Sequence, residues 1–467
     1  MPTSKRFRTE YDSLGAKRVP YDAYYGVETV RAIENFPISG LRFHPSFIWA
    51  LGAIKKACAH ANLTRRVLDS RRARAIIRAA EEVMAGKLSD QFVTDVLQSG
   101  AGVSCHMNVN EVIANRALEI LRRIKGDYEF LSSHDHVNMA QSTNDVIPTA
   151  MRIGAFRLLQ QFSNASRALE KSFAKKSVEF RHIVKSGRTH LQDAAPITLG
   201  QEFSGYARQL EKGRLRVERM GENLLELGLG GSAVGTGLNT TLRYRSLAVH
   251  HLKRITGFPL KIGKNFFELM QSDADLAGVS GALRACALSL IQISNDLRLL
   301  SSGPKTGFAE INLPARQPGS SIMPGKVNPV MPEVTAQVGL QVIGNDLAIS
   351  MAVQAGQLEL NVMRPVMIHN LFQSIEILKN LCGALRTFCV DGITANVARC
   401  RDDAEKSYGI AAALNPYMGY SRAAECVKES VRTGKTLREV VQEKRYLSPS
   451  ELNRILSPEN LTQPKRK

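Results

Sequence analysis

Gly319-Ser320-Ser321-Ile322-Met323-Pro324-Gly325-Lys326-Val327-Asn328-Pro329 packs two hydroxyls, a cation, an amide and two prolines into eleven residues. Gly319 opens backbone conformations closed to other residues, while Pro324 and Pro329 restrict them, so the stretch reads as a shaped loop. Glu333 and an apolar-periodic run follow, so the loop is expected to enter a helix with Pro332 near its first turn, running toward Leu360. Such composition is most often a plain connector. Its order and spacing suit instead a mobile loop that touches a small anion.

The regions before the loop carry the strongest helical signal. Leu276, Val279, Leu283, Cys286, Leu290, Ile293, Leu297 and Leu300 recur in steps of three and four. Leu199, Phe203, Tyr206, Leu210, Gly213, Val217, Met220 and Leu224 do the same, and Met151, Ala155, Leu158, Phe162, Ala165 and Leu169 form a third set. Each pattern gives a helix one apolar seam, and long seamed helices side by side make a bundle. Loops rich in Gly, Ser, Thr and Asn lie between them at 99–110, 132–145, 187–193, 228–241 and 301–328, where a bundle keeps its chemistry. The predicted organisation is an N-terminal domain over 1–140, a central bundle over 141–395 and a small C-terminal domain over 396–467, unstructured beyond Leu461.

Composition narrows the class. The 467 residues can bury a large core, with up to about three domains as a prior. A hydrophobic content of 44% is ordinary for a globular protein. Met1 to Asp12 is polar and lacks the apolar run of a signal peptide, and no stretch holds the roughly 18 uninterrupted apolar residues of a membrane span. Seven scattered cysteines without zinc-ligand spacing suit reduced core thiols in a cytoplasmic protein, with Cys382 and Cys389 on one helix face. The net charge of +19 gathers at Arg65-Arg66, Arg71-Arg72-Arg74 and the tail Lys465-Arg466-Lys467. No aromatics interleave the first two clusters, so they read as solvated surface, and a nucleic-acid partner is set aside. Positive potential would still help to collect a dianion.

The 319–329 loop resembles the signature loop of the aspartase/fumarase superfamily, Gly-Ser-Ser-x-Met-Pro-x-Lys-x-Asn-Pro, at every fixed position. The resemblance covers nearly the whole chain. Tyr24-Tyr25-Gly26-Val27-Glu28-Thr29 with Glu34-Asn35-Phe36 looks like the family's N-terminal motif, and Asn415-Pro416-Tyr417-Met418-Gly419-Tyr420 like its C-terminal domain. It implies an all-α, three-domain fold with a central long-helix bundle. It also implies a homotetramer whose active sites draw loops from three chains, and elimination from a succinyl-type dicarboxylate to give fumarate. No cofactor is implied, and activation by a divalent metal is left open.

That reaction takes a proton from a carbon beside a carboxylate, so the site must hold an enediolate-like dianion with preorganised donors and place a base. By resemblance Ser320 is the base and Ser321 a donor to the dianion, although a Ser-Ser pair alone is usually turn chemistry. A serine hydroxyl is far too weak a base unless positive charge or backbone N–H groups lower its pKa. Lys326 and Asn328 supply a cation and a two-handed amide for the α-carboxylate. In the 187–193 loop, Thr189 joins them and His190 faces the leaving amine, with Glu333 the acidic residue that orients the imidazole. In the 136–145 loop, Ser142 and Thr143 face the β-carboxylate and Asn144 the ammonium, beside a helix start near Asp145; Ser-Thr-Asn-Asp also reads as a helix cap.

The fourth loop, 100–108, brings Val103 and Ser104 to the substrate and departs from the family pattern. Relatives typically carry Thr at Val103 and Asn at His106, and losing a buried hydroxyl costs about 1–3 kcal/mol. Leu191, Ser142-Thr143, the 329–333 run and the 295–304 and 355–363 segments look like the aspartase branch. Met139 and the 203–206 run lean toward fumarase, and Arg364 stands where an acidic residue is usual. The resemblance therefore implies reversible deamination of L-aspartate. Elimination from malate or another succinyl compound is the alternative, and a basic scaffold without catalysis the non-enzymatic one.

Overall fold

The computed structural model describes residues 6–98 and 100–464. Ser99 and the basic tail Lys465-Arg466-Lys467 lie outside the described residues. The fold is helical, as the apolar seams predict, with four two-stranded ribbons added. The third seam lies inside the helix Thr143–Glu179, the second forms Leu199–Glu222 and the first Ala274–Leu300. The helix after the 319–329 loop runs from Val330 to Val353, short of Leu360, because Gln357 and Leu360 pair with each other in a tight turn. A further helix spans Arg364–Phe388 and stops just before Cys389, so Cys382 and Cys389 do not share it. All seven cysteines are buried and outside any disulfide.

The chain divides into two compact units, one made of Met1–Ser163, Leu215–Ala287 and Leu340–Lys379, the other of Asn164–Arg214, Leu288–Gly339 and Asn380–Lys467. In the first, the helix Pro45–Thr64 is almost wholly buried against the helices Ser70–Met84 and Leu242–Thr256. Gly52 permits the close approach, since a Cβ there would sit 3.0 Å from Met84 and 3.2 Å from Val83. The arginines at 71 and 72 do meet an aromatic: the Phe130 ring lies 5.7 and 4.5 Å from them and 3.8 Å from Arg123. In the second unit, Leu414, Met418, Cys426, Leu437, Val440, Leu452 and Ile455 form an apolar cluster. Its short helices Leu437–Glu443 and Pro449–Ile455 each begin with a reciprocal capping box.

Residues 103–120 form a helix whose start, up to Asn110, falls in the 99–110 stretch that reads as a loop. The reason is that its buried face is polar: His106, Asn108, Asn110, Glu111 and Asn115 are all at most 1% exposed. Asn108, Asn115 and Glu111 satisfy backbone on other segments, while Asn110 donates to the Met107 sulfur at 3.3 Å. Asn108 accepts from Val93 N and donates to Gln91 O, and Asn115 donates to Tyr24 O and accepts from Gly126 N. Glu111 does most, taking the N–H groups of Gly26, Glu28 and Thr29 and the Thr29 hydroxyl. It thereby caps the helix Val27–Asn35, whose own N-cap Gly26 has no side chain to offer. An amide would aim N–H at N–H. Glu111→Gln is therefore expected to lose about 2 kcal/mol, read as a lower midpoint in thermal unfolding; an unchanged midpoint would remove Glu111 from this role.

Candidate active site

The predicted residues fall into two groups, one in each unit. The first gathers at the start of the helix Thr143–Glu179. Ser142 is its cap: Oγ accepts Asn144 N–H at 3.2 Å, and the carbonyl accepts from Asp145 and Val146. Asp145 is fully buried, and its carboxylate accepts from Ser142 N at 2.9 Å, Gly230 N at 2.9 Å and Ser232 N at 3.1 Å. One carboxylate thus ties the cap to the 228–241 loop. Burial pushes Asp145 up to about 6, against the pull of those three N–H donors.

Asn144 is held at both ends. Its Nδ2 donates to Ala233 O at 2.8 Å, which fixes the amide and leaves Oδ1 as an open acceptor. Its carbonyl would ordinarily bond the residue four positions on, but that is Pro148, which has no N–H. Arg364 takes the carbonyl instead, Nη1 at 3.3 Å, while its other nitrogens bond Met270 O at 2.6 Å and Asp273 at 3.2 Å. Arg364 and Asp273 are both buried, so each neutralises the other's charge.

Thr143 Oγ1 lies 2.8 Å from His106 Nδ1, and His106 Nε2 lies 2.7 Å from Lys55 Nζ. His106 is wholly buried. Val103 and Ser104 stand in the first turn of the helix Val103–Ile120, which starts at Gly102, φ +97°, without a side-chain cap. Val103 is 41% exposed, and both residues line a cavity of about 640 Å³ with Glu28, Arg31, Ser132 and His134.

The second group begins with the 319–329 loop, which closes on itself. Gly319 N donates to Lys326 O at 2.8 Å, and Asn328 Nδ2 donates to Gly319 O at 2.7 Å. One hand of the Asn328 amide is therefore structural, leaving the other hydrogen for a ligand. Ser320 Oγ accepts two backbone N–H groups, from Met323 at 2.9 Å and Ile322 at 3.2 Å. A Cβ on Gly319 would sit 2.5 Å from Lys326 O and 2.8 Å from Asn328 N, both backbone atoms. Gly319→Ala must open the loop, and a displacement of that size is expected to cut kcat/KM about 100-fold with the thermal midpoint unchanged. Full activity in that variant would make the loop's closure irrelevant.

Lys326, Asn328 and Glu333 line one cavity of about 980 Å³ with Asn295, Arg298 and Ser302; Ser320 and Ser321 do not line it. Lys326 is exposed and makes no ion pair among the described residues. The 187–193 stretch is not a loop but the tip of a hairpin, Val184–Thr189 against Gln192–Thr198. His190 and Leu191 form its two-residue turn with φ of 55° and 59°, the geometry of a type I′ turn. Thr189, His190 and Leu191 are exposed. The hairpin is rooted by Lys185, 2% exposed, between Glu202 at 3.2 Å and Glu310 at 3.1 Å, and by Arg188 on Glu310 at 2.7 Å. Neither the His190 nor the Glu333 side chain has a hydrogen-bond or ion-pair partner among the described residues, so their pairing is not formed within the chain.

Lys55 and the Arg364–Asp273 pair were not among the predicted site residues. Lys55 did carry a signal, since it lies four residues from Leu51 and three from Cys58 on a seam that is otherwise apolar. Among the described residues no three His, Cys, Asp or Glu side chains are grouped as metal ligands.

Known proteins resemble the chain over nearly its whole length. A family profile described as Lyase matches residues 15–344, and one described as Fumarase C C-terminus matches residues 410–463. The chain belongs to this lyase family, the aspartase/fumarase superfamily. An aspartate ammonia-lyase from Bacillus sp is 49% identical over 98% of both chains. The aspartate ammonia-lyase of Escherichia coli (strain K12) is 47% identical over 99% of this chain and 97% of its own. Among solved structures, a fumarate lyase:delta crystallin from Brucella melitensis bound to cobalt superposes with a TM-score of 0.96 at 47% identity, covering 98% of this chain and all of that one. A class II fumarase from Schistosoma mansoni gives 0.91 at 34% identity, covering 97% and 98%.

Proposed function

We propose that the chain is a carbon–nitrogen lyase that deaminates L-aspartate reversibly to fumarate and ammonia. The observation that carries this reading is identity of 49% and 47%, over nearly the full length, to chains named aspartate ammonia-lyase. Asn144, whose amide nitrogen is committed to Ala233, leaves its oxygen to accept from the leaving amine.

Ser320 removes the Cβ proton, and the electron pair moves onto the β-carboxylate to give an enediolate-like dianion. Ser142, Thr143 and Ser321, with Ser104, hold that charge. Thr189, Lys326 and Asn328 grip the α-carboxylate. Collapse of the dianion expels the amine, which Asn144 and His190 hold, and the products are fumarate and ammonia. Val103 narrows the pocket without supplying a hydroxyl. No organic cofactor takes part, and the protein acts in the cytoplasm.

The working form is a homotetramer with shared sites. Leu340, Leu347 and Met351, spaced seven and four apart on one helix, are 64%, 64% and 56% exposed in the single chain, and Leu288 is 51% exposed. Such apolar surface suits burial between copies. Glu333 then reaches His190 of another copy.

The test is fumarate formation by ultraviolet absorbance, with L-aspartate and L-malate supplied separately to the purified protein. Fumarate from aspartate alone is expected. Fumarate from malate alone would make the chain a fumarase, and silence on both would overturn the aspartate reading in favour of another succinyl compound.

A further inference from the structure

Lys55 is completely buried on the helix Pro45–Thr64 and is surrounded by acceptors. Nζ lies 2.7 Å from His106 Nε2, 2.9 Å from Gln141 Oε1 and 3.0 Å from Asn138 Oδ1. The two amides cannot turn round, because their nitrogens are already spent: Asn138 Nδ2 donates to Gln141 O, and Gln141 Nε2 donates to Val137 O and Met139 O. Both amide oxygens therefore face Nζ. Three acceptors use the three N–H bonds of an ammonium. Burial pulls Lys55 down to about 7, and this ring of acceptors works against that pull.

The protonation of His106 follows. Its Nε2 accepts from Lys55, so the single proton of a neutral imidazole sits on Nδ1. Burial and the adjacent Lys55 charge hold the ring neutral, well below the usual histidine range. Nδ1–H therefore donates to Thr143 Oγ1, 2.8 Å away. The Thr143 hydroxyl cannot return its own hydrogen to Nδ1, and no other acceptor for it lies among the described residues. We infer that His106 is a positioning residue that, with its Nε2 lone pair taken by Lys55, turns the Thr143 hydroxyl hydrogen outward as a ready donor to the substrate carboxylate. This rests on the reading of Thr143 as a substrate donor. The Thr143 hydroxyl is thereby locked in the donating sense.

Two amide substitutions separate the two nitrogens. The amide nitrogen of Asn can sit where Nδ1 sits and keep the bond to Thr143, whereas the Gln amide reaches the position of Nε2 and loses it. In steady-state assays of the full chain with L-aspartate, Thr143→Val is expected to lower kcat/KM about 100-fold, as loss of an oxyanion donor does. His106→Gln is expected to lower it about tenfold, and His106→Asn to recover most of that loss. The double variant H106Q/T143V should fall no further than T143V alone, within about twofold, because the relay acts only through the hydroxyl. A tenfold loss from H106Q in both backgrounds overturns the relay and leaves Thr143 a substrate donor. Full activity in T143V overturns the donor reading and the relay with it. Should H106Q fail to fold, H106L and H106L/T143V decide: a tenfold loss from H106L in both backgrounds rejects the relay, and a tenfold loss confined to the background that keeps Thr143 supports it.

Discussion

Replacing Ser320 by Ala lowers turnover of L-aspartate by about a thousandfold, with the helical circular-dichroism signal and thermal midpoint unchanged. The reasons lie in the loop. A free serine hydroxyl is a poor base, and what makes Ser320 able to act is the pair of backbone N–H groups from Met323 and Ile322 aimed at its Oγ. Two donors onto one oxygen favour the alkoxide over the hydroxyl. The fold does not need those bonds, because Ile322 and Met323 are 84% and 49% exposed and water replaces the lost acceptor. The loop stays closed through Gly319, Lys326 and Asn328, whose bonds do not involve the Ser320 side chain. Turnover within tenfold of the unchanged protein would take Ser320 out of the base role.

The second large effect belongs to Lys326. Lys326→Met is expected to raise KM for L-aspartate on the order of 100-fold, the value of a charged hydrogen bond to a carboxylate. Lys326 is exposed, has no ion-pair partner among the described residues, and lines a cavity with Asn328 and Glu333. Its backbone carbonyl holds Gly319, and a methionine preserves that bond and much of the side-chain bulk. The α-carboxylate does not change charge during the reaction, so the contact is equal in ground and transition states. KM moves and kcat holds. A fall in kcat at unchanged KM would place Lys326 at the developing dianion instead.

The helices were legible wherever one face is apolar. The steps from Leu276 to Leu300 and from Leu199 to Leu224 gave their positions to within a few residues, because burial of a seam is a property of local spacing. The first turns of the helix 103–120 were not legible, since their buried face carries His106, Asn108 and Glu111, whose partners lie on other segments. Nor was the hairpin turn at His190-Leu191, where neither residue is one that ordinarily favours positive φ. Arg364 showed only as an oddity until Pro148 was seen to leave the Asn144 carbonyl without a helical partner.

Sequence by itself determined the family, the helical class, the shaped loop that carries Ser320, Lys326 and Asn328, and the polar cap at Ser142-Thr143-Asn144. These are short-range patterns, in which the chemistry sits within a few residues. Tertiary structure alone decided that Lys55, fifty-one residues before His106, fills the lone pair that sets that ring's tautomer, and that Asp145 and Arg364 brace Asn144 from distant segments. Hydrogen-bond direction in a buried network depends on which groups meet in space, and residue type without a partner leaves it undetermined.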